Sequence, residues 1–205
     1  MGLYHRYVFP HLIDLAMASK VFRKPRRRTL ASASGRILEI GFGTGMNLGH
    51  YPASVQRIDA IDPDAALARL AAKRIAAAPI DVDFHQLGAE HLPFGADSFD
   101  TVVCTLTLCS IPDVEQALGE VRRVLRPGGR FLFLEHGLAP DPRVAGWQHR
   151  LTPLQKRIGG GCHLDRPMAR LVSESGLALG SVKNYYLRHV PRFVGYMTEG
   201  VAGKP

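Results

Sequence analysis

Along the chain, short apolar runs rich in β-branched residues alternate with longer segments whose apolar positions recur at helical spacing, a pattern that predicts an α/β protein. Arg36-Ile37-Leu38-Glu39-Ile40 is apolar on both faces, as a central parallel strand is, and opens into Gly41-Phe42-Gly43-Thr44-Gly45. A short helix follows, then Arg57–Asp62, a second strand that ends in an acid and is stopped by Pro63. A helix begins at Asp64, whose side chain can cap it, and carries Leu67, Leu70, Ala71 and Ile75 toward Pro79. Val82–Leu87 alternates with period two, and Ser98–Leu106 is a buried, β-branched run. From Asp113 a capped helix presents Val114, Ala117, Leu118, Val121, Val124 and Leu125, stops at Arg126-Pro127-Gly128-Gly129, and hands over to the strand Arg130–Leu134. A helix from Arg166 to about Gly176 precedes two apolar strands around Val182–Leu187 and Phe193–Met197. The turn between them, with Pro191, is too short for a helical crossover and makes them an antiparallel pair. Ahead of the first strand, Pro10 suits a helix start and Leu12, Ile13, Ala16, Met17 and Val21 share one face. Residues 1–35 thus read as a helical arm that packs on or roofs the domain, and 36–205 as the domain itself.

Composition narrows this picture. The 205 residues, 46% hydrophobic, suffice for one domain with a seven-stranded sheet covered by helices on both faces. Cys104, Cys109 and Cys162 are odd in number, without C-x-x-C spacing and without a signal peptide before them. An intracellular, reduced, cytoplasmic protein is expected, with neither disulfide nor metal. No apolar run approaches the roughly 20 residues that cross a bilayer. The formal charge of +8 is densest at Arg23–Arg28, where no aromatic residue beyond Phe22 is interleaved, so nucleic acid is not the expected partner. The run reads as a solvated basic face; peripheral membrane contact through this arm is the alternative.

Glu39 is the chemical anomaly, because a carboxylate at the end of a central strand is costly to bury and that end is where open α/β sheets bind ligands. A dinucleotide fingerprint would place its third glycine at Met46, and no Gly-Lys-Ser/Thr follows for a P-loop. The pattern E-x-G-x-G-x-G instead resembles the first motif of the class I S-adenosylmethionine-dependent methyltransferases. Asp62, ending the second strand, is placed to accept hydrogen bonds from ribose hydroxyls; Asp59 competes but lies inside the run. The family's adenine loop commonly reads Asp-Ala and then Leu-Pro-Phe, and here Gly88 stands at the aspartate position, leaving the backbone of Ala89 with Glu90 or His91. Leu125-Arg126-Pro127-Gly128-Gly129 before an apolar strand is a further similarity.

More narrowly, Cys104-Thr105-Leu106-Thr107-Leu108-Cys109-Ser110, Glu135-His136 and Gly161-Cys162 with Leu164 resemble the microsomal alkyl-thiol methyltransferases of the methyltransferase-like group and their bacterial relatives. Gly160 departs from an aspartate in that pattern. The resemblance implies a Rossmann-like class I fold, mostly parallel, completed by the antiparallel pair, and a methyl transfer from S-adenosylmethionine to a small-molecule acceptor, a thiol above all. It implies donor contacts from Glu39, Gly41, Gly43, Gly45, Asp62, Pro63, Ala89, Glu90 and Thr105. His136 is the candidate base, since an imidazole can take a thiol's proton, and Cys109, Trp147, His149, Cys162 and His163 are candidates for the acceptor side. Methylation of a lipid amine or ring carbon, a nicotinamide oxidoreductase, and a non-enzymatic membrane or nucleic-acid module are the competing readings.

Overall fold

The computed structural model describes residues 3–205. Seven strands form one sheet in the order β3-β2-β1-β4-β5-β7-β6: β1 (Ile37–Ile40), β2 (Arg57–Ile61), β3 (Asp81–His85), β4 (Phe99–Thr105), β5 (Leu125–His136), β6 (Ala178–Tyr186) and β7 (Tyr196–Gly203). The first five pair in parallel, and β7 runs antiparallel to both β5 and β6. This is the Rossmann-like fold expected. Period-two alternation divides the buried residues between two faces. Leu38, Ile40, Val102, Phe131 and Phe133 pack in one cluster with Leu118 and Val121 of α4 (Val114–Val124), and Val172 of α6 (Met168–Glu174) joins it. Ile37, Ile58, Val103 and Leu132 pack on the other face with Leu30 of α2 (Arg23–Leu30) and Ala71 of α3 (Ala65–Ala77). Asp64 and Asp113 cap α3 and α4 through their carboxylates, which satisfies otherwise unpaired first-turn N–H groups.

Several boundaries differ from expectation for identifiable reasons. The glycine loop leads only to a single helical turn at Leu48–His50. β5 starts at Leu125 rather than Arg130, because Leu125 already pairs with Phe99 across an irregularity in the ladder. Phe193 belongs to the short helical turn α7 (Arg192–Gly195), set up by the fixed backbone of Pro191, so the last strand begins at Tyr196. The arm is not one helix: α1 (Phe9–Met17) is followed by a turn at Lys20–Phe22 and then α2. Leu12 of α1 is 52% exposed, so only part of the expected apolar face is covered, and Leu15, outside that face, is 75% exposed.

The segment between β5 and α6 holds a 17-residue helix, α5 (Pro142–Ile158), tied to the arm by Tyr4, whose hydroxyl donates to the Ile158 carbonyl. No described helix is long and apolar enough to cross a membrane.

Candidate active site

The carboxyl ends of β1, β2 and β4 open onto a cavity of about 850 Å3, within the size range of small-molecule sites. It lies where strand order reverses between β1 and β4, the crevice that open α/β sheets use for ligands. Phe9, Ile13 and Met17 of α1 roof it, and Gly159–Cys162 close one side.

The loop after β1 forms one wall. Gly41 and Gly43 both have positive φ, 72° and 55°. A Cβ at Gly41 would collide with the Thr107 side chain, whereas one at Gly43 would meet nothing nearer than 4.0 Å. Gly41 is therefore needed for packing, and Gly43 keeps the loop open to a ligand's close approach. Gly45 packs toward Leu48 and Phe42 and does not line the cavity.

Asp62 is on the wall and 6% exposed. Its oxygens accept the N–H groups of Gly43 (2.8 Å) and Asp64 (2.9 Å), which leaves each a further lone pair. Burial pushes this carboxyl up against those two bonds. Asp59 sits on a separate depression with Ser34, Gln56 and Asp83, and pairs with Arg36 at 3.4 Å.

Glu39, 1% exposed, accepts from Asn47 Nδ2 (2.9 Å) and the Tyr51 hydroxyl (2.6 Å). Burial pushes its carboxyl up to about 7 in spite of these donors and of Arg26 nearby. Arg26 is a cavity-lining residue that sequence reasoning missed. The basic run is α2, and it buries Pro25, Arg26, Thr29 and Leu30 on one stripe. Arg26 Nη1 donates to Asn47 Oδ1 (2.7 Å) and Thr105 Oγ1 (3.0 Å), while its buried Nε has no partner among the described residues. Arg28, on the same helix, pairs with Glu199. The run is thus only partly a solvated face; helical spacing of Pro25, Thr29 and Leu30 was the available signal.

Pro63, Gly88, Ala89 and Glu90 also line the cavity. A Cβ on Gly88 would lie 2.7 Å from Glu90 Oε2, so the Glu90 carboxylate folds over the position where the resembled family carries aspartate. His91 is outside, against Gln116 (3.2 Å).

At the opposite end, Cys109, His136 and Cys162 meet on the wall, their sulfur and ring-nitrogen atoms all within 4.8 Å of one another. His136 Nε2 is 3.1 Å from Cys162 Sγ, and the buried Nδ1 has no partner among the described residues. A hydrogen bond from Cys162 holds the Cys109 thiol well below its ordinary range against burial, with help from His136; the Cys162 thiol is pushed up by that same bond. Burial works against a charged His136, but Cys109 and Glu135 outweigh it and raise the imidazole. Glu135, fully buried, accepts the N–H groups of Thr107 (2.8 Å) and Leu108 (3.1 Å), and burial pushes its carboxyl up to about 8. It anchors a turn in which Leu106 takes a φ of 57°, a strained backbone of the kind that surrounding bonds must enforce.

Trp147, His149 and His163, expected on the acceptor side, do not line this cavity. In α5 the buried face carries Val144, Gln148 and Thr152, and a residue one position away is turned by about 100°. Trp147 is accordingly 57% exposed beneath Arg150, and His149 bonds Asp165 at 2.9 Å. His163 contributes through its backbone, whose N–H donates to the Cys109 carbonyl at 2.8 Å.

A family model described as a methyltransferase domain matches residues 38–133. The chain is 38% identical over 144 residues to the human thiol S-methyltransferase TMT1B, covering 67% of this chain and 58% of that protein. It is 31% identical over 163 residues to the phosphatidylethanolamine N-methyltransferase of Cereibacter sphaeroides, covering 77% and 79%. Among solved structures, the YcgJ protein of Bacillus subtilis superposes with a TM-score of 0.68 at 27% identity, over 80% of this chain and 71% of that one. The chain thus spans less than two thirds of the length of TMT1B and most of the length of the bacterial lipid enzyme.

Proposed function

The chain belongs to the class I S-adenosylmethionine-dependent methyltransferases, and from that premise we propose that it methylates the sulfur of a small thiol. The observation that carries the reading is the Cys109–His136–Cys162 cluster on the wall of the same cavity as the glycine loop. S-adenosylmethionine, when bound, supplies an activated methyl group on a sulfonium. The residues present fit it: the loop is open at Gly43, Asp62 has spare acceptor capacity, and Glu39 and Arg26 carry charges opposite to those of an amino acid's ammonium and carboxylate. We assign Asp62 to the ribose hydroxyls, Pro63, Ala89 and Glu90 to the adenine side, Thr105 to holding Arg26, and Arg26 and Glu39 to the amino-acid end. Little else is asked of the side chains, since bringing nucleophile and methyl together in a dry site supplies most of the rate. His136, beside the cysteines, takes the acceptor's proton. The arm acts as the cavity's roof through Phe9, Ile13 and Met17.

The donor assignment predicts that Asp62→Ala weakens binding of the donor or its demethylated product by about 1.5–3 kcal/mol, the scale of hydrogen bonds to a charged group. Asp59→Ala should leave it unchanged. Equal affinities in calorimetric titrations would refute the ribose assignment.

A phospholipid amine is the second reading. It is favoured by the match to the Cereibacter enzyme and by exposed Leu12 and Leu15 of the roof together with exposed Leu154 and Ile158 of α5, which suit peripheral contact with a bilayer surface. Labelled donor offered with thiols, phenols, amines and phospholipid vesicles decides between the two. With a thiol, wild-type activity should rise with pH as the thiolate forms. Because its neighbours raise the imidazole, His136 can accept a proton only above its own titration. His136→Ala should therefore lose turnover most in the window between that point and the ionisation of the thiol, least at low pH, while keeping donor affinity. Transfer to vesicles with none to any thiol would overturn the thiol assignment and leave methyl transfer standing.

A further inference from the structure

We propose that Cys109, Cys162 and His136 bind a zinc-type divalent cation whose fourth position faces the cavity and receives the acceptor's sulfur. The inference rests on the thiol reading only for its last clause; the ion site stands on the three side chains alone. Two thiolates and one imidazole are a donor set that zinc favours, and three protein ligands with one open position distinguish catalytic from structural zinc sites. The expectation of no metal came from the absence of close cysteine spacing, yet the fold brings together residues from three distant places.

The sulfur and nitrogen atoms lie within 4.8 Å of one another. A tetrahedral zinc with bonds of about 2.3 Å to sulfur and 2.0–2.1 Å to nitrogen separates its ligands by roughly 3.5–3.8 Å. The 3.1 Å between His136 Nε2 and Cys162 Sγ must therefore open by about half an ångström, a side-chain adjustment.

The backbones holding the ligands are already fixed. Glu135 ties the turn before Cys109 through two N–H groups, the Arg166 guanidinium donates to the Leu108 carbonyl, and the His163 N–H joins the Cys162 loop to the Cys109 carbonyl. His136 ends β5, locked between β4 and β7 in the sheet. All three ligands line the cavity, so a small molecule can reach the ion from the donor's side.

In the chemistry this permits, His136 is engaged as a ligand and no longer serves as the base: a thiol acceptor binds the cation as its thiolate and its proton passes to solvent water. A sulfur lone pair then forms the bond to the methyl carbon as the donor's sulfonium C–S bond breaks, its electron pair remaining on the donor sulfur. The neutral thioether is a weaker ligand than the thiolate and leaves. No oxidant or reductant is required.

The test uses reduced full-length protein stripped with a chelator and titrated with Co(II), whose thiolate charge-transfer absorption and tetrahedral ligand-field bands report the ligand set without any turnover. One equivalent should bind, be displaced by Zn(II), and change its spectrum when a small alkyl thiol is added. Cys109→Ser, Cys162→Ser and His136→Ala should each weaken binding at least about 100-fold, the upper end of what losing even an outer partner costs a site. Cys104→Ala should bind as wild type does. Thermal melting and donor titration on each variant distinguish a lost ligand from a lost fold. Absence of thiolate-to-cobalt absorption in reduced wild type overturns the ion site, as does equal affinity across folded variants. Ready formation of a Cys109–Cys162 disulfide with no cobalt affinity on reduction overturns it too. Cobalt without the spectral response to a thiol removes the acceptor clause. Donor affinity, measured separately, judges the methyltransferase reading whatever the metal does.

Discussion

Arg26→Met should cost the protein its donor affinity by at least about 100-fold, because a single guanidinium holds the charge balance of the amino-acid end of the cavity. Arg26 donates to Asn47 and Thr105, and Asn47 passes the connection on to Glu39. Methionine fills similar space without donating. Asn47 Oδ1 loses its donor, the donor's carboxylate loses its cation, and Glu39 loses the positive charge that opposes its burial. Removing one member of a buried charged set typically costs about 3–5 kcal/mol, whereas an exposed charge costs little. Arg27 is exposed on the same helix, so Arg27→Met serves as the comparison and should bind normally. Calorimetry with the demethylated product, alongside thermal melting, checks both effects. Unchanged affinity in a folded Arg26→Met protein would remove Arg26 from the donor site.

Arg26 also shows where the sequence stopped being readable. The parallel core was legible because its strands are apolar on both faces and end in glycines or acids, and Asp62 was separable from Asp59 because one ends its strand and the other precedes the end. Those are local patterns. A basic run gives no local sign of which member turns inward; that depends on Pro25, Thr29 and Leu30 docking α2 against the sheet, with Leu30 packed beside Ile37 and Leu132. Likewise the resemblance put Trp147 and His149 in the segment folded over the acceptor, but the amphipathic turn of α5 faces Gln148 inward instead, where it bonds the Ala139 N–H and the carbonyls of Gly137 and Phe193. The meeting of Cys109 with Cys162 depends on a loop closing over a strand end, and no spacing rule encodes such a contact between residues so far apart in sequence.

The cavity wall thus carries two buried polar groups, Glu39 with Arg26, Asn47 and Tyr51, and the cysteines with His136 and Glu135. On the assignment proposed above, the two groups serve different substrates, so the pH response of donor binding is a separate question from that of the acceptor. In that assignment the donor side responds to Glu39, whose carboxyl is pushed up to about 7 by burial, and the acceptor side to the cysteines, His136 and Glu135.

Glu39→Gln should therefore abolish the pH dependence of donor binding. In the wild type, an ammonium is held by the ionised carboxylate, so affinity should rise by up to about tenfold per pH unit between roughly pH 5.5 and 7 and then level off. The donor's own amino group, which ordinarily titrates near 8, remains charged across that window. The glutamine variant should bind weakly at every pH in the window. At pH 7.5 the loss should be about 1.5–3 kcal/mol, as for other charged hydrogen bonds. Stability moves the other way. A carboxyl whose folded pKa is raised above its unfolded value binds its proton more tightly in the fold, so the wild type is favoured below about 4.5 and loses that contribution as pH rises through about 7. By linkage the loss has a ceiling of about 3 kcal/mol. Glu39→Gln has no such proton to lose, so denaturant melts from pH 4.5 to 8 should show the wild type losing stability relative to the variant. A pH-independent wild-type affinity, or a glutamine variant that retains the slope, would show that Glu39 does not face the donor's ammonium.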